Sequence, residues 1–206
     1  MKEELPKKYY EKLELNEFKL NSLLEITKAI NNNLSIDNIL KIFEYILREQ
    51  LVISKLILYA NDSEKWNCIL HFGGKGLNKK INVEEELTHI KDITVIESSS
   101  IKTLNSFDIV IPIFHKKIAL AYLLIGDLED DIIVISPGIK HMPFIQTLTN
   151  IIIVAIENKR FANESIDQER TNKELEVASE MQRLLFPAIL PSNNRVDVAA
   201  RYETHQ

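Results

Sequence analysis

Apolar residues along this chain change period twice. From Glu14 to Asn32 they recur at helical spacing: Leu20, Leu23, Thr27, Ile30 and Leu34 fall three and four apart, with Leu24 and Ile26 widening the stripe. That pattern predicts a long helix packed against other helices. The run Asn31-Asn32-Asn33 breaks it. Ser35 and Asp37 then supply N-cap and first-turn chemistry for a second helix, Ile36 to Gln50, with Ile39, Leu40, Phe43, Ile46 and Leu47 facing inward. Apolar runs at Lys55 to Ala60, Trp66 to Phe72, Phe107 to Phe114 and Lys117 to Gly126 follow. The first two are joined by Asn61-Asp62-Ser63-Glu64 and the last two by His115-Lys116-Lys117, so they read as two antiparallel hairpins. Between the pairs lies Gly73 to Ser106, with Gly73-Gly74-Lys75-Gly76, an acidic run Glu84-Glu85-Glu86 and Ser98-Ser99-Ser100. A connection of this length inside a compact domain is usually functional. From Pro143 to Phe186 the helical period returns, apolar through Phe144, Leu148, Ile151, Ile152, Ala155 and Ile156 and charged from Asn158 onward. The first part is expected to pack on the domain and the second to leave it, with Pro137 or Pro143 in the first turn.

The last 30 residues point to something further. Ala178, Met181 and Leu185 keep helical spacing up to Phe186, where Pro187 must end the helix. After Pro191, Arg195 to Tyr202 alternates Val196, Val198 and Ala200 with Asp197, Ala199 and Arg201, as on a strand covered on one face. One strand cannot bury its apolar face alone, so the chain reads as cut just inside another domain; the plainer alternative is an amphipathic helix with a disordered tail. The order Ala178-x-x-Met181-Gln182-x-x-Leu185-Phe186-Pro187, then Leu190-Pro191, then Val198-Ala-Ala-Arg-Tyr202, resembles the opening of the phosphatase domain of bacterial protein phosphatase 2C-like serine phosphatases, which act on sigma-factor regulators and sporulation proteins. The resemblance implies aspartates holding paired Mn or Mg ions beyond Gln206 and a phosphoprotein substrate for the longer protein. Asp197 alone lies in the relevant segment, so this stretch of chain is expected to have no catalytic residues and no phosphatase activity of its own.

The order helix, helix, hairpin, long loop, hairpin, long exit helix resembles a GAF domain, a sensing and dimerisation module related to PAS domains. Asp108-Ile-Val-Ile-Pro-Ile-Phe114 with Ile118-Ala-Leu-Ala-Tyr-Leu-Leu-Ile-Gly126 is similar to its central hairpin, and Phe144 to Asn158 to its final helix. The implied fold is α+β, an antiparallel sheet flanked by helices, with long N- and C-terminal signalling helices. The implied organisation is an N-terminal extension (1–13), a GAF domain (14–160), a signalling helix (161–186) and the truncated start of a phosphatase domain (187–206). A ligand pocket would lie between the sheet and Glu84 to Ser106, with Phe72, Phe107 and Ile109 as candidate walls; the other reading of those three is a packed core. A homodimer through the terminal helices is expected. Its candidate residues are Leu20, Leu23 and Ile30 on the first helix. On the last, the heptad carried from Ile151 and Val154 gives Asn158, Phe161, Ser165, Gln168, Asn172 and Leu175. The function implied is a regulatory region passing a signal through the exit helix to a serine/threonine phosphatase. Two alternatives remain: the GAF input region of a histidine kinase or diguanylate cyclase, and a GAF-like enzyme such as a methionine sulfoxide reductase. A kinase would need a phosphoacceptor histidine, and none lies between Pro143 and Pro191; the reductase would need reactive cysteines in the loops, and the chain has one, Cys68, in an expected strand.

Composition narrows the partners. With 45% hydrophobic and 27% charged residues the chain is that of a folded soluble protein. A formal net charge of −5, from 25 basic and 30 acidic residues, with basic residues only in short pairs, argues against nucleic acid. The apolar runs are too short for a membrane span and the N-terminus has no apolar signal region, so a cytoplasmic location is expected. The five histidines show no metal-ligand spacing. Gly73-Gly74-Lys75-Gly76 lacks the spacing and the terminal Lys-Ser/Thr of a P-loop. Asn158-Lys159 with Phe161 and Glu164 has the letters of a cyclic-nucleotide motif without its separation, and is rejected as one.

Overall fold

A computed structural model of the chain describes residues 7–62, 65–74, 76, 81–96, 104–126, 137–185, 195 and 198. The expected strand from Arg195 to Tyr202, Asp197 and the Ser98-Ser99-Ser100 run therefore lie outside the described residues, apart from Arg195 and Val198. The chain divides into two compact units, residues 1–157 and 158–206.

In the first unit, helix α1 spans Lys7–Asn31 and so takes in part of the expected N-terminal extension. Its buried face is Ser22, Ile26 and Ala29, with Phe18, Leu23 and Ile30 partly buried beside it. Leu20 and Leu24 are exposed on the other side, so the single stripe read from the sequence is two stripes back to back. Helix α2 spans Ile36–Tyr45. The Asn38 backbone N–H donates to Ser35 Oγ at 3.3 Å, the N-cap bond that the sequence implied. The helix then widens into a π-helical turn, Ile46–Gln50, closed by the Leu51 N–H to Ile46 C=O bond of 3.0 Å. Ile39, Leu40, Phe43, Ile46 and Leu47 are all buried, as their spacing requires.

Five strands follow: β1 (Lys55–Asp62), β2 (Lys65–Phe72), β3 (Thr94–Val95), β4 (Ile109–His115) and β5 (Ile118–Gly126). All pairs are antiparallel, in the order β2-β1-β5-β4-β3. The two expected hairpins are present and join through β1 and β5, from Lys55 opposite Gly126 to Ala60 opposite Ala121. The connection between them is not structureless. It contains a short helix α3 (Val83–Glu86), strand β3 and a 3₁₀ turn at Leu104–Ser106.

Strand alternation divides the apolar residues between two layers. Leu56, Leu58, Ile109, Ile111, Leu123 and Ile125 face the helices. Ile57, Tyr59, Val110, Tyr122 and Leu124 face the connection, where Ile81, Val83, Leu87, Leu104 and Phe107 cover them. In β1, β4 and β5 both faces are largely buried, and this is why those strands read as nearly unbroken apolar runs. Each full burial of such an aliphatic chain stabilises by about 1.5–3 kcal/mol over exposure.

Helix α4 spans Pro137–Leu185, starting at the earlier of the two prolines that the sequence offered. Pro137 occupies the first turn, where its missing N–H costs nothing, and Pro143 sits inside the helix without ending it. Phe144, Ile145, Leu148, Ile152 and Ile153 bury against the helix-facing layer of the sheet. The second unit holds the remainder of α4, and there every residue from Phe161 to Met181 is exposed. Among the described residues no helix is long and apolar enough to cross a membrane.

Candidate functional site

Cross-strand register places four residues in one row on the connection-facing side of the sheet: Cys68 opposite Tyr59, Tyr59 opposite Tyr122, and Tyr122 opposite Pro112. Trp66 leans over the row, its ring 5.2 Å from that of Tyr122 at an interplanar angle of 52°. The covering layer is held by α3. Asn82 caps that helix, accepting from the Glu84 N–H at 3.2 Å, while its own N–H donates to Glu86 Oε1 at 2.9 Å. The acidic run is thus first-turn capping chemistry that pins Glu86 and drives Val83 and Leu87 into the cluster.

Two phenols give this layer its electrostatic character. Burial pushes the Tyr59 hydroxyl well above the ordinary tyrosine range, and the nearby Cys68 and Glu86 add to it. Burial raises Tyr122 in the same direction. Tyr122 is fully buried, and its hydroxyl has no hydrogen-bond partner among the described residues. The half-buried Cys68 thiol donates a weak 3.6 Å bond to the Leu70 carbonyl. Among the described residues no group of three or more His, Cys, Asp or Glu is placed to hold a metal ion. The arrangement is a packed aromatic layer over the sheet with the Tyr122 hydroxyl buried inside it.

This gives a direct test. An unsatisfied buried hydroxyl costs about 1–3 kcal/mol, so Tyr122→Phe is expected to raise stability by about 1 kcal/mol without added ligand, or about 2–4 °C in melting temperature. A loss of similar size, measured by denaturant titration, would show that the hydroxyl is already bonded.

Of the expected wall residues, Phe107 lies in the connection-facing layer, whereas Phe72 and Ile109 are buried on the helix side of the sheet. The three do not come together. Tyr59, Trp66, Cys68, Glu86 and Tyr122 were missed because their proximity depends on register. The available signal was a tyrosine interrupting the aliphatic run of both β1 and β5.

The helix side holds a second titratable feature. His141 on α4 is buried, and its Nδ1 has no partner among the described residues. Burial lowers its pKa, and Lys19 of α1 and Lys140 of α4 lower it further. On the same two helices, the Phe18 and Phe144 rings meet tilted at 58° with centroids 6.2 Å apart. Since the folded pKa lies below the unfolded one, the unfolded chain binds the proton more readily. The stability is therefore present above about pH 6.5 and is lost as pH falls through the folded value. His141→Leu is expected to flatten the decline in melting temperature between neutral pH and about pH 5. An unchanged acid limb in the variant would assign it to other groups.

Of the dimer candidates, Leu20, Asn158, Phe161, Ser165, Gln168, Asn172 and Leu175 are exposed, while Leu23 and Ile30 pack partly against the core of the first unit.

No known family profile matches the chain, and no curated protein does. Solved structures do. The GAF domain of a protein assigned as a sensor histidine kinase from Pseudomonas syringae pv. tomato aligns over 78% of this chain and 99% of its own, at 11% identity and a TM-score of 0.58. Residues 122 to 287 of a methyl-accepting chemotaxis protein align over 68% of this chain and 99% of theirs, at 14% identity and a TM-score of 0.49. The GAF domain of an Acinetobacter phosphoenolpyruvate-protein phosphotransferase covers 68% of this chain and 93% of its own, at 15% identity and a TM-score of 0.48. The fold is GAF-like: α+β, with a five-stranded antiparallel sheet, flanking helices and a long C-terminal helix.

Proposed function

We propose that this chain is a sensor and dimerisation region that passes a signal along α4 to an attached output domain, a metal-dependent serine/threonine phosphatase of the 2C type. The observation that carries the reading is the continuity of α4. One helix contributes Phe144, Leu148 and Ile152 to the core and continues unbroken to Leu185. A change in packing under the sheet then acts on the same helix that leads out of the first unit. The phosphatase assignment rests on the Met181-Gln182-x-x-Leu185-Phe186-Pro187 segment, and Mn or Mg would be bound in the output domain.

A second copy of the chain is the partner. On α1, Tyr10, Leu13, Leu20 and Leu24 are all at least half exposed and follow one another at helical spacing, opposite the buried stripe of Ser22, Ile26 and Ala29. A stripe continuing over four turns fits another helix better than solvent, and a two-fold pairing lets the same patch serve both copies. The ligand would sit against Tyr122 and Trp66.

The test is a thermal-shift screen of small polar metabolites against the chain and its Tyr122→Phe variant. A ligand that binds only the folded state raises the melting temperature by mass action, and the variant is expected to lose that response. A hit that shifts both proteins equally would move the site elsewhere. Sedimentation at high micromolar concentration decides the dimer separately.

A further inference from the structure

A cleft lies beside the β4–β5 turn and uses none of the residues above. It is lined by Lys91, Phe114, Lys116 and Lys117, is open to solvent and measures about 560 Å³, within the range of small-molecule sites. Two elements converge on it. In the β4–β5 hairpin, His115 pairs with Ile118 and leaves Lys116 and Lys117 as the turn. The pairing of Thr94 with Val110 brings the residues before β3 back along β4, which delivers Lys91 to the same place.

The charge here runs against the rest of the chain, whose net charge is −5. No carboxylate lines the cleft among the described residues, and none of the three ammonium groups has an ion-pair partner among them. Three cations with no ion-pair partner among the described residues, set about one concave surface, focus a positive potential that recruits anions. Lys116 adds an independent observation. Its φ is +56°, in the left-handed region where glycine or asparagine is favoured in a two-residue hairpin turn. A lysine there costs stability, and what it brings is a charge at the lip of the cleft. Phe114, half-buried, supplies an apolar wall.

We propose that this cleft binds a small phosphorylated organic molecule, with the lysines on the phosphate and the carbon skeleton against Phe114. Lysine suits this as a compact point charge that needs no fixed approach geometry.

The test is titration with inorganic phosphate, 1-naphthyl phosphate and 1-naphthol in low salt, followed by the backbone amide shifts of residues 114–118. The ring contact is expected to make naphthyl phosphate bind about fivefold more tightly than inorganic phosphate. Raising salt weakens both, and naphthol gives no saturable shift. Lys91→Gln, Lys116→Gln and Lys117→Gln together are expected to weaken binding by about tenfold or more. Lys116→Gly is the decisive variant. It relieves the left-handed backbone, so it folds at least as stably as the parent while binding phosphate about two- to fivefold more weakly. No shift with either phosphate up to about 10 mM, unchanged affinity in the triple variant, or naphthol binding as well as its phosphate would each overturn the proposal.

Discussion

Gly73→Ala is expected to destabilise the first unit by on the order of 3 kcal/mol, and Gly76→Ala, three residues on, by only about 1–2 kcal/mol. Both glycines have positive φ, +66° and +76°, where any Cβ is strained. They differ in what the added atom meets. At Gly76 nothing among the described residues lies within 4 Å, whereas at Gly73 the Cβ would fall 2.2 Å from the Ser54 carbonyl oxygen and 2.9 Å from Lys55 Cα. Those are backbone atoms at the start of β1, the strand that lies between β2 and β5, and they cannot move without disturbing both ladders. The position has a functional side. Gly73 is where β2 ends and the chain turns into the connection that covers Tyr59 and Tyr122. At about 2–4 °C per kcal/mol, the expected drop is about 6–12 °C for Gly73→Ala. Trp66, the sole tryptophan, sits on β2 over Tyr122 and reports the loss by fluorescence during denaturation. Equal destabilisation by the two substitutions would mean that β1 yields freely and the clash carries no cost.

Much of the scaffold is legible in the sequence because it depends on local chemistry. Ser35 announces α2 by capping, Asn61 to Glu64 and His115 to Lys117 announce the hairpins, and the apolar runs reflect a sheet buried on both faces. What was misread depends on longer-range pairing. Helix α3 has four residues and β3 has two, too few to show a period, and both are held by partners elsewhere: Val83 by the cluster over the sheet, Thr94 by Val110. Pro137 and Pro143 both read as first-turn residues, and only packing decides that the helix starts at the first and runs through the second. Nothing in the sequence shows that Ile109 faces the helices while Phe107 faces the connection, because the strand begins between them. The row of Cys68, Tyr59, Tyr122 and Pro112 exists only through register across four strands. Tertiary pairing, not local propensity, assembles the candidate site.

Replacing Ser165, Gln168 and Asn172 together with leucine or isoleucine is expected to tighten the proposed dimer at least about a hundredfold, near 3 kcal/mol. The heptad carried from Ile151 and Val154 places these three on one seam with Asn158, Phe161 and Leu175, and four of the six are polar. All six are exposed, so the seam is free to meet a partner. Glu169 with Lys173 at 3.0 Å and Arg170 with Glu174 at 3.1 Å lend the helix modest support along its surface. Polar seam residues weaken association while fixing register. The pair would then sit between two packings separated by a few kcal/mol, a gap that a ligand preferring one packing can close. Apolar substitutions should remove that freedom and hold the proposed phosphatase output in one activity state. Exposed Ile166 and Val177 provide the control, since they lie off the seam on another face of the helix. Ile166→Gln with Val177→Gln should leave the dimer unchanged if the heptad is right. If that pair dissociates the dimer by sedimentation and the triple substitution leaves its affinity as it was, the contact runs along the opposite face and the polar seam has no part in signalling.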